Sequence, residues 1–282
     1  MTGKIATIVA VCVVVSAWLV SALFTTHQMQ KKVDALNQQL AVLKANVDEQ
    51  APDEEQEEVG NAAIEKNWQG KKVLVIGDSI STDYYANYTK WVTVLKNQGY
   101  FPADTNNNSI HGTGFVATYD GDDRFVTRLA AVEDKDTYDL VVIFGGINDA
   151  ISSKPMGEKG GDKNTEFKPA VDYFFDYLVN NFTQARIVVL SPLLTKATGV
   201  NSAGHRYVEY IDYIKEVAKY YCLPVLNLTE ESGFCPFVES FRDMWTYDKN
   251  GEWVTGDGVH PSAEYEEKFL APMIKNFLNQ FI

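Results

Sequence analysis

The stretch Lys72-Val73-Leu74-Val75-Ile76-Gly77-Asp78-Ser79-Ile80-Ser81 is the strongest constraint on what this chain can fold into. Its first half is apolar and β-branched with no polar alternation, a pattern that suits a strand covered on both faces in a parallel sheet. Its second half stops in Gly-Asp-Ser, so the chain must turn there. In open α/β sheets, ligands bind in the crevice beyond the carboxyl ends of the strands. A serine at that point stands where a nucleophile would. The same tripeptide is also an ordinary turn in which Asp or Ser caps the next helix, so the remaining sequence has to decide.

The pattern recurs. Residues 138–144 form a second apolar run that closes in Gly145-Gly146-Ile147-Asn148-Asp149, residues 185–190 a third that stops at Ser191-Pro192, and residues 223–228 a last strand. Residues 102–110 are poor in apolar side chains and read as a weak edge strand. Helical spacing predicts helices over residues 82–99, 125–132, 167–182, 203–221 and 263–281, and a loop or hairpin over 245–258 around Asn250-Gly251. Strands alternating with helices predict a three-layer α/β/α sandwich with a mostly parallel, flavodoxin-like sheet of about five strands.

The first sixty or so residues are of another kind. Residues 5–24 carry no charge, enough to span a bilayer as one helix, so residues 1–28 read as a transmembrane anchor, with a cleaved signal peptide ending near Val20-Ser21-Ala22 as the alternative. Met29, Val33, Leu36, Leu40, Leu43 and Val47 then mark an a/d seam, so residues 29–50 read as a short helical stalk able to self-associate as a coiled coil. Residues 51–66 form a linker in which residues 53–58 hold five acids, and residues 67–282 form the globular domain. The short N-terminal flank favours a single-pass protein of the cell membrane with the domain outside; signal cleavage would make it secreted.

The net charge of −13 and the lack of a Lys/Arg cluster argue against nucleic acid as a partner. No Cys/His spacing suggests zinc, the Gly112–Ala117 stretch lacks the preceding strand a dinucleotide site needs, and Asp120, Asp122 and Asp123 lack calcium-loop spacing, so no cofactor or metal is expected. Cys222 and Cys235 would pair only if the fold brings them close. Trp245, Trp253, Tyr84 and Tyr85 are candidates for a pocket lining, although aromatics more often serve the core.

A serine hydroxyl needs an adjacent base to attack an acyl group. Among the four histidines, His27 falls in the stalk, and His111 and His205 default to structural roles. His260 differs, because Asp257 lies three residues before it and can orient its ring while Nε2 faces a serine. An oxyanion also needs donors. The Ser79 N–H at a turn into a helix, a glycine N–H in Gly112-Thr113-Gly114 and the Asn148 amide can supply them.

Taken in order, Gly77-Asp78-Ser79, the Gly112 loop, Gly146-Ile147-Asn148-Asp149 and Asp257-Gly258-Val259-His260 resemble the blocks of the SGNH (GDSL-type) hydrolase family, here in a membrane-anchored, bacterial-type form. The resemblance covers about residues 70–281. It implies Ser79 as nucleophile, His260 as base, Asp257 as its orienting acid, and Ser79, Gly112 and Asn148 as the oxyanion hole, with Gly114 the alternative to Gly112. The expected activity is a serine esterase acting through an acyl-enzyme on short-chain esters, acetyl among them, of carbohydrate or other small molecules. An O-acyltransferase using the same acyl-enzyme and a non-catalytic surface protein are the alternatives.

Overall fold

In a computed structural model, which describes residues 66–82, 89–248, 252 and 255–282, the apolar runs become the strands of one parallel sheet. The strands are β1 (Val73–Gly77), β2 (Asn106–Ser109), β3 (Leu140–Phe144), β4 (Arg186–Leu190) and β5 (Val225–Leu226), in the spatial order β2-β1-β3-β4-β5. All four pairings are parallel. The order is the flavodoxin-like one.

The central strands are buried on both faces because helices cover both. Leu74, Ile76, Val141, Ile143, Ile187 and Val189 point into one core with α2 (Phe125–Ala130), α4 (Phe167–Asn181) and α5 (Tyr207–Tyr220). Val73, Val75, Leu140, Val142, Val188 and Leu190 point into the other with α1 (Trp91–Asn97) and α9 (Ala271–Leu278). Successive residues of each strand thus serve opposite layers, which is why these runs show no polar alternation.

Four phenylalanines lock the first core beneath the loops. The Phe115 ring lies 5.1 Å from that of Phe125 and 5.2 Å from that of Phe174, and Phe174 lies 5.4 Å from Phe175. Phe115 belongs to the loop that follows β2, so this cluster anchors a loop as well as two helices.

Several expected boundaries shift for local reasons. The predicted 203–221 helix begins only at Tyr207: Asn201 Oδ1 accepts the N–H groups of Ala203 (3.1 Å) and His205 (3.1 Å), and Gly204 is left-handed. The Glu209 carboxylate then accepts the Arg206 N–H at 2.8 Å and sets the helix start. The last strand is two residues long, because α6 (Leu228–Glu231) starts directly after Asn227. Two further short helices had no clear sequence signal, α3 (Ile147–Ile151) and α7 (Glu239–Trp245). The C-terminal helix is four pieces: α8 (Ala263–Tyr265), a π-helical segment (Glu266–Leu270), α9 and a closing 3-10 turn (Asn279–Phe281). The predicted 82–99 helix is seen as α1 alone, its residues 83–88 lying outside the described ones. Cys222 and Cys235 are both free thiols, so the pairing considered for them does not form.

The apolar run 5–24, the stalk, the acidic linker, Cys12 and His27 lie outside the described residues, as do Tyr84, Tyr85, Trp253 and the Asn250-Gly251 turn. Among the described residues no helix is long and apolar enough to cross a membrane.

Phe174 is fully buried in the aromatic cluster. Phe174→Ala is expected to cost about 3–5 kcal/mol, read as a lower urea midpoint with an unchanged far-ultraviolet spectrum of the folded baseline.

Candidate active site

The site starts from β1. Gly77 sits opposite both Ser109 of β2 and Phe144 of β3, so three segments leave the sheet at one level. A Cβ on Gly77 would lie 2.8 Å from Ser81 Oγ and 2.9 Å from both the Phe144 carbonyl and Ser109 Oγ, so no larger residue fits. Past it, the Asp78 carbonyl accepts the N–H groups of Ser81 (3.1 Å) and Thr82 (3.2 Å), and Asp78 Oδ1 accepts that of Ile80 at 3.0 Å. This tight turn presents Ser79. Asn107 of β2 donates from Nδ2 to the Ser81 carbonyl at 2.7 Å, so the polar edge strand also braces the turn.

β3 ends in Gly145-Gly146, where Gly146 adopts φ +110° and opens α3. Two consecutive side chains of α3 hold the loop that follows β2. Asn148 Nδ2 donates to the Thr113 carbonyl at 2.9 Å. Asp149, fully buried, accepts three successive N–H groups, from Phe115 (2.9 Å), Val116 (2.8 Å) and Ala117 (2.7 Å). A Cβ on Gly114 would lie 2.2 Å from Asp149 Oδ2, so Gly114 is required for the carboxylate to come this close. The Gly114 N–H is itself bonded to the Ala117 carbonyl at 2.9 Å. The N–H groups of Gly112 and Ser79 have no partner among the described residues. Gly112 takes φ +74°, which glycine adopts readily.

Arg128 of α2 ties the first two segments together. Its buried guanidinium donates to the Gly77 carbonyl (3.0 Å), Thr113 Oγ1 (2.9 Å) and the Asn108 carbonyl, and its Nε to the Asp123 carbonyl (2.8 Å). Burial lowers its pKa to about 10, the nearby Asp123 and Asp78 opposing that shift. Neither Arg128 nor the role of Asp149 stood out in the sequence. The only available signal was that Asp149 directly follows Asn148; a lone arginine on a short helix carries none.

The third element is the strap between α7 and α8. Thr246 bridges Pro261, the Tyr247 N–H donates to the His260 carbonyl (2.9 Å), the Asp257 N–H to the Tyr247 carbonyl (2.7 Å) and the Ser262 N–H to the Trp245 carbonyl (2.8 Å). Asp257 Oδ1 accepts the N–H groups of Val259 (2.8 Å) and His260 (3.0 Å). Its Oδ2 lies 2.6 Å from His260 Nδ1, and His260 Nε2 lies 2.7 Å from Ser79 Oγ. Ser79, His260 and Asp257 therefore form one hydrogen-bonded row, although Ser79 and His260 are 181 residues apart in sequence. Burial alone would raise the pKa of Asp257. The hydrogen bond and charge of His260 outweigh it and hold the carboxyl below its ordinary range.

The other candidates fall elsewhere. His205 Nδ1 pairs with Glu209 at 3.0 Å on the surface, and the His111 ring packs against Tyr119 at 3.9 Å with its pKa lowered by burial. Trp245 packs on Tyr265 and Phe269, so it joins the second core.

Comparisons with known proteins agree with this architecture. The model of the GDSL-like Lipase/Acylhydrolase family matches residues 75–267, more than half of the chain. No curated protein gives a significant match. Among solved structures, one is 28% identical, with a TM-score of 0.61, covering 75% of this chain and 97% of its own. A protein from Lactobacillus plantarum is similar at 21% identity and a TM-score of 0.63, covering 75% and 98%. A structure described as "a possible lipase" from Chitinophaga pinensis is similar at 16% identity and a TM-score of 0.56, covering 74% and 98%.

Asp149→Asn places an amide against a backbone N–H, leaving at least one buried donor unpaired. The expected cost is about 1–3 kcal/mol, read by urea unfolding. Burial raises Asp78 from its ordinary 3.8 to about 6, opposed by the Ile80 N–H and the charge of His260. An acid raised on folding binds more protons folded than unfolded between those two values. Its contribution to stability is therefore full below the lower value and is lost as pH rises through about 6. Wild type should lose on the order of 3 kcal/mol relative to Asp78→Asn between about pH 4 and pH 7, measured as the difference of their unfolding free energies.

Proposed function

Because this chain belongs to the GDSL-like lipase/acylhydrolase family and is an ester-bond hydrolase, we propose that it is a serine esterase in which Ser79 is the nucleophile, His260 the general base and Asp257 the acid that orients it. The observation that carries this reading is the row itself, 2.7 Å from Ser79 Oγ to His260 Nε2 and 2.6 Å from Nδ1 to Asp257 Oδ2. With Nδ1–H held by an ionised carboxylate, Nε2 is left as the acceptor for the serine proton.

In the reaction, Ser79 Oγ bonds to the ester carbonyl carbon as its proton passes to His260 Nε2. The carbonyl electron pair moves to oxygen. Donors suited to that oxyanion are the Ser79 and Gly112 N–H groups and the second Nδ2 proton of Asn148, the first being spent on Thr113. Collapse expels the alcohol oxygen, which takes the proton from His260, and leaves the acyl group on Ser79. Water then gives a proton to His260 and attacks the acyl carbon. Release of the acid returns the proton to Ser79 Oγ.

The substrate in this proposal is a short acyl ester, acetyl in the simplest case, on a carbohydrate or another small alcohol. The uncharged run of residues 5–24 supports a setting at the cell membrane, and the proposal has the domain facing outward. The residues 29–50 support self-association through the stalk.

A panel of p-nitrophenyl esters and acetylated glycans tests the reading. Ser79→Ala should abolish turnover of every substrate the wild type cleaves, and activity surviving that change would remove the proposal. Asn148→Ala should lower kcat by about 10²–10³-fold with little change in KM, the size seen for one oxyanion donor.

A further inference from the structure

The nucleophile turn and the histidine strap come from opposite ends of the domain, and a buried chain of contacts joins them. Ser81, two residues after Ser79, accepts at Oγ the indole N–H of Trp91 at 3.1 Å. The backbone N–H of Trp91 donates to Glu266 Oε2, also at 3.1 Å. The other oxygen, Oε1, lies 3.5 Å from Lys90 Nζ. Glu266 returns the chain of contacts to the strap, its N–H donating at 2.9 Å to the carbonyl of Ser262, two residues after His260. Ser81, Lys90, Trp91 and Glu266 are all 0% exposed.

Two features set this pair apart from an ordinary structural contact. The desolvation of two fully buried charges offsets most of their attraction, and apolar residues of equal volume usually serve stability as well or better. Stability alone therefore does not account for it. Glu266 also opens the π-helical segment Glu266–Leu270. Such segments often mark functional sites. Burial lowers the pKa of Lys90, opposed first by Glu266 and then by the charges of Asp257 and Asp78.

We propose that Lys90 and Glu266 are a positioning pair for the reaction: through Trp91 and Ser262 they fix the Ser79 turn at hydrogen-bonding distance from the His260 strap, without touching substrate. The proposal rests on Ser79 and His260 acting as nucleophile and base. A misplacement of about 1 Å can cost on the order of 10²-fold in rate, so a modest loosening of this tether should register in the chemical step and not in binding.

The test compares wild type, Ser79→Ala, the double variant Lys90→Met/Glu266→Met and Trp91→Phe. Each is assayed for kcat and KM on p-nitrophenyl acetate, for the rate at which a fluorophosphonate labels Ser79 per folded molecule, and for its urea midpoint. The double variant removes both charges together, so no uncompensated charge is left in the core. It also leaves the buried Trp91 N–H without its acceptor, so it should stay folded at a lowered midpoint while kcat and labelling rate per folded molecule fall about tenfold and KM stays within about twofold. A folded double variant with wild-type kcat and labelling overturns the positioning role and leaves the esterase reading intact. If the double variant does not fold, Trp91→Phe decides. It removes the indole donor to Ser81 along with part of a buried ring, so the rate is read per folded molecule, and it should slow labelling about threefold or more. Wild-type labelling in Trp91→Phe overturns the proposal. Wild type that labels no faster than Ser79→Ala overturns both readings.

Discussion

The register of β1 against its two neighbours is the constraint on which the rest of the molecule depends. Gly77 pairs with Ser109 on one side and Phe144 on the other, so the chain leaves the sheet three times at one level. Parallel strands buried on both faces allow this, because their ends cannot drift without exposing one core or the other. The exits of β1 and β3 are then narrowed by glycine. Gly77 has Ser81, Ser109 and the Phe144 carbonyl within 2.9 Å of where a Cβ would stand, and Gly145 has the Phe125 ring at 2.6 Å. The loops that carry Ser79, Gly112 and Asn148 begin from these crowded points and have little freedom in direction.

Beyond the strand ends the backbone has no ladder to pair with, and buried N–H and carbonyl groups still need partners. Side chains supply them. Asp149 takes three N–H groups of one loop, Arg128 takes carbonyls from β1 and β2, and Asn107 takes the Ser81 carbonyl. In a low-dielectric interior such a network is strong when complete and costly when one member is missing. The nearly perfect fit of Gly114 to the Asp149 carboxylate belongs to the same logic, since a Cβ there would fall 2.2 Å from an oxygen. The framework is thus rigid where a developing oxyanion would need fixed donors.

The strap bearing Asp257 and His260 is held differently. It lies outside the sheet, pinned by main-chain bonds to the end of α7 and by the cap of α8, where Ser262 Oγ accepts the Tyr265 N–H at 3.2 Å. Its approach to Ser79 depends on how the C-terminal segment packs across the second core, which is where Trp91 and Glu266 meet.

By itself the sequence determined the layered α/β class, the parallel character of the sheet and the residues at the strand ends, because those follow from local runs of apolar side chains and from the turns that glycine, Asn and Asp permit. It also singled out His260 over the other histidines, since Asp257 is only three residues away and the pairing is local. The tertiary structure decided what depends on contacts between distant segments. Among the described residues the Gly112 N–H has no partner, whereas Gly114 donates to Ala117 and gives its empty side to Asp149. Arg128 lies 51 residues from the Gly77 carbonyl it binds, and Glu266 lies 175 residues from the Trp91 N–H it accepts. No periodicity or spacing encodes such pairings. They arise only when helices and loops are packed on the sheet and each buried polar group must find its partner.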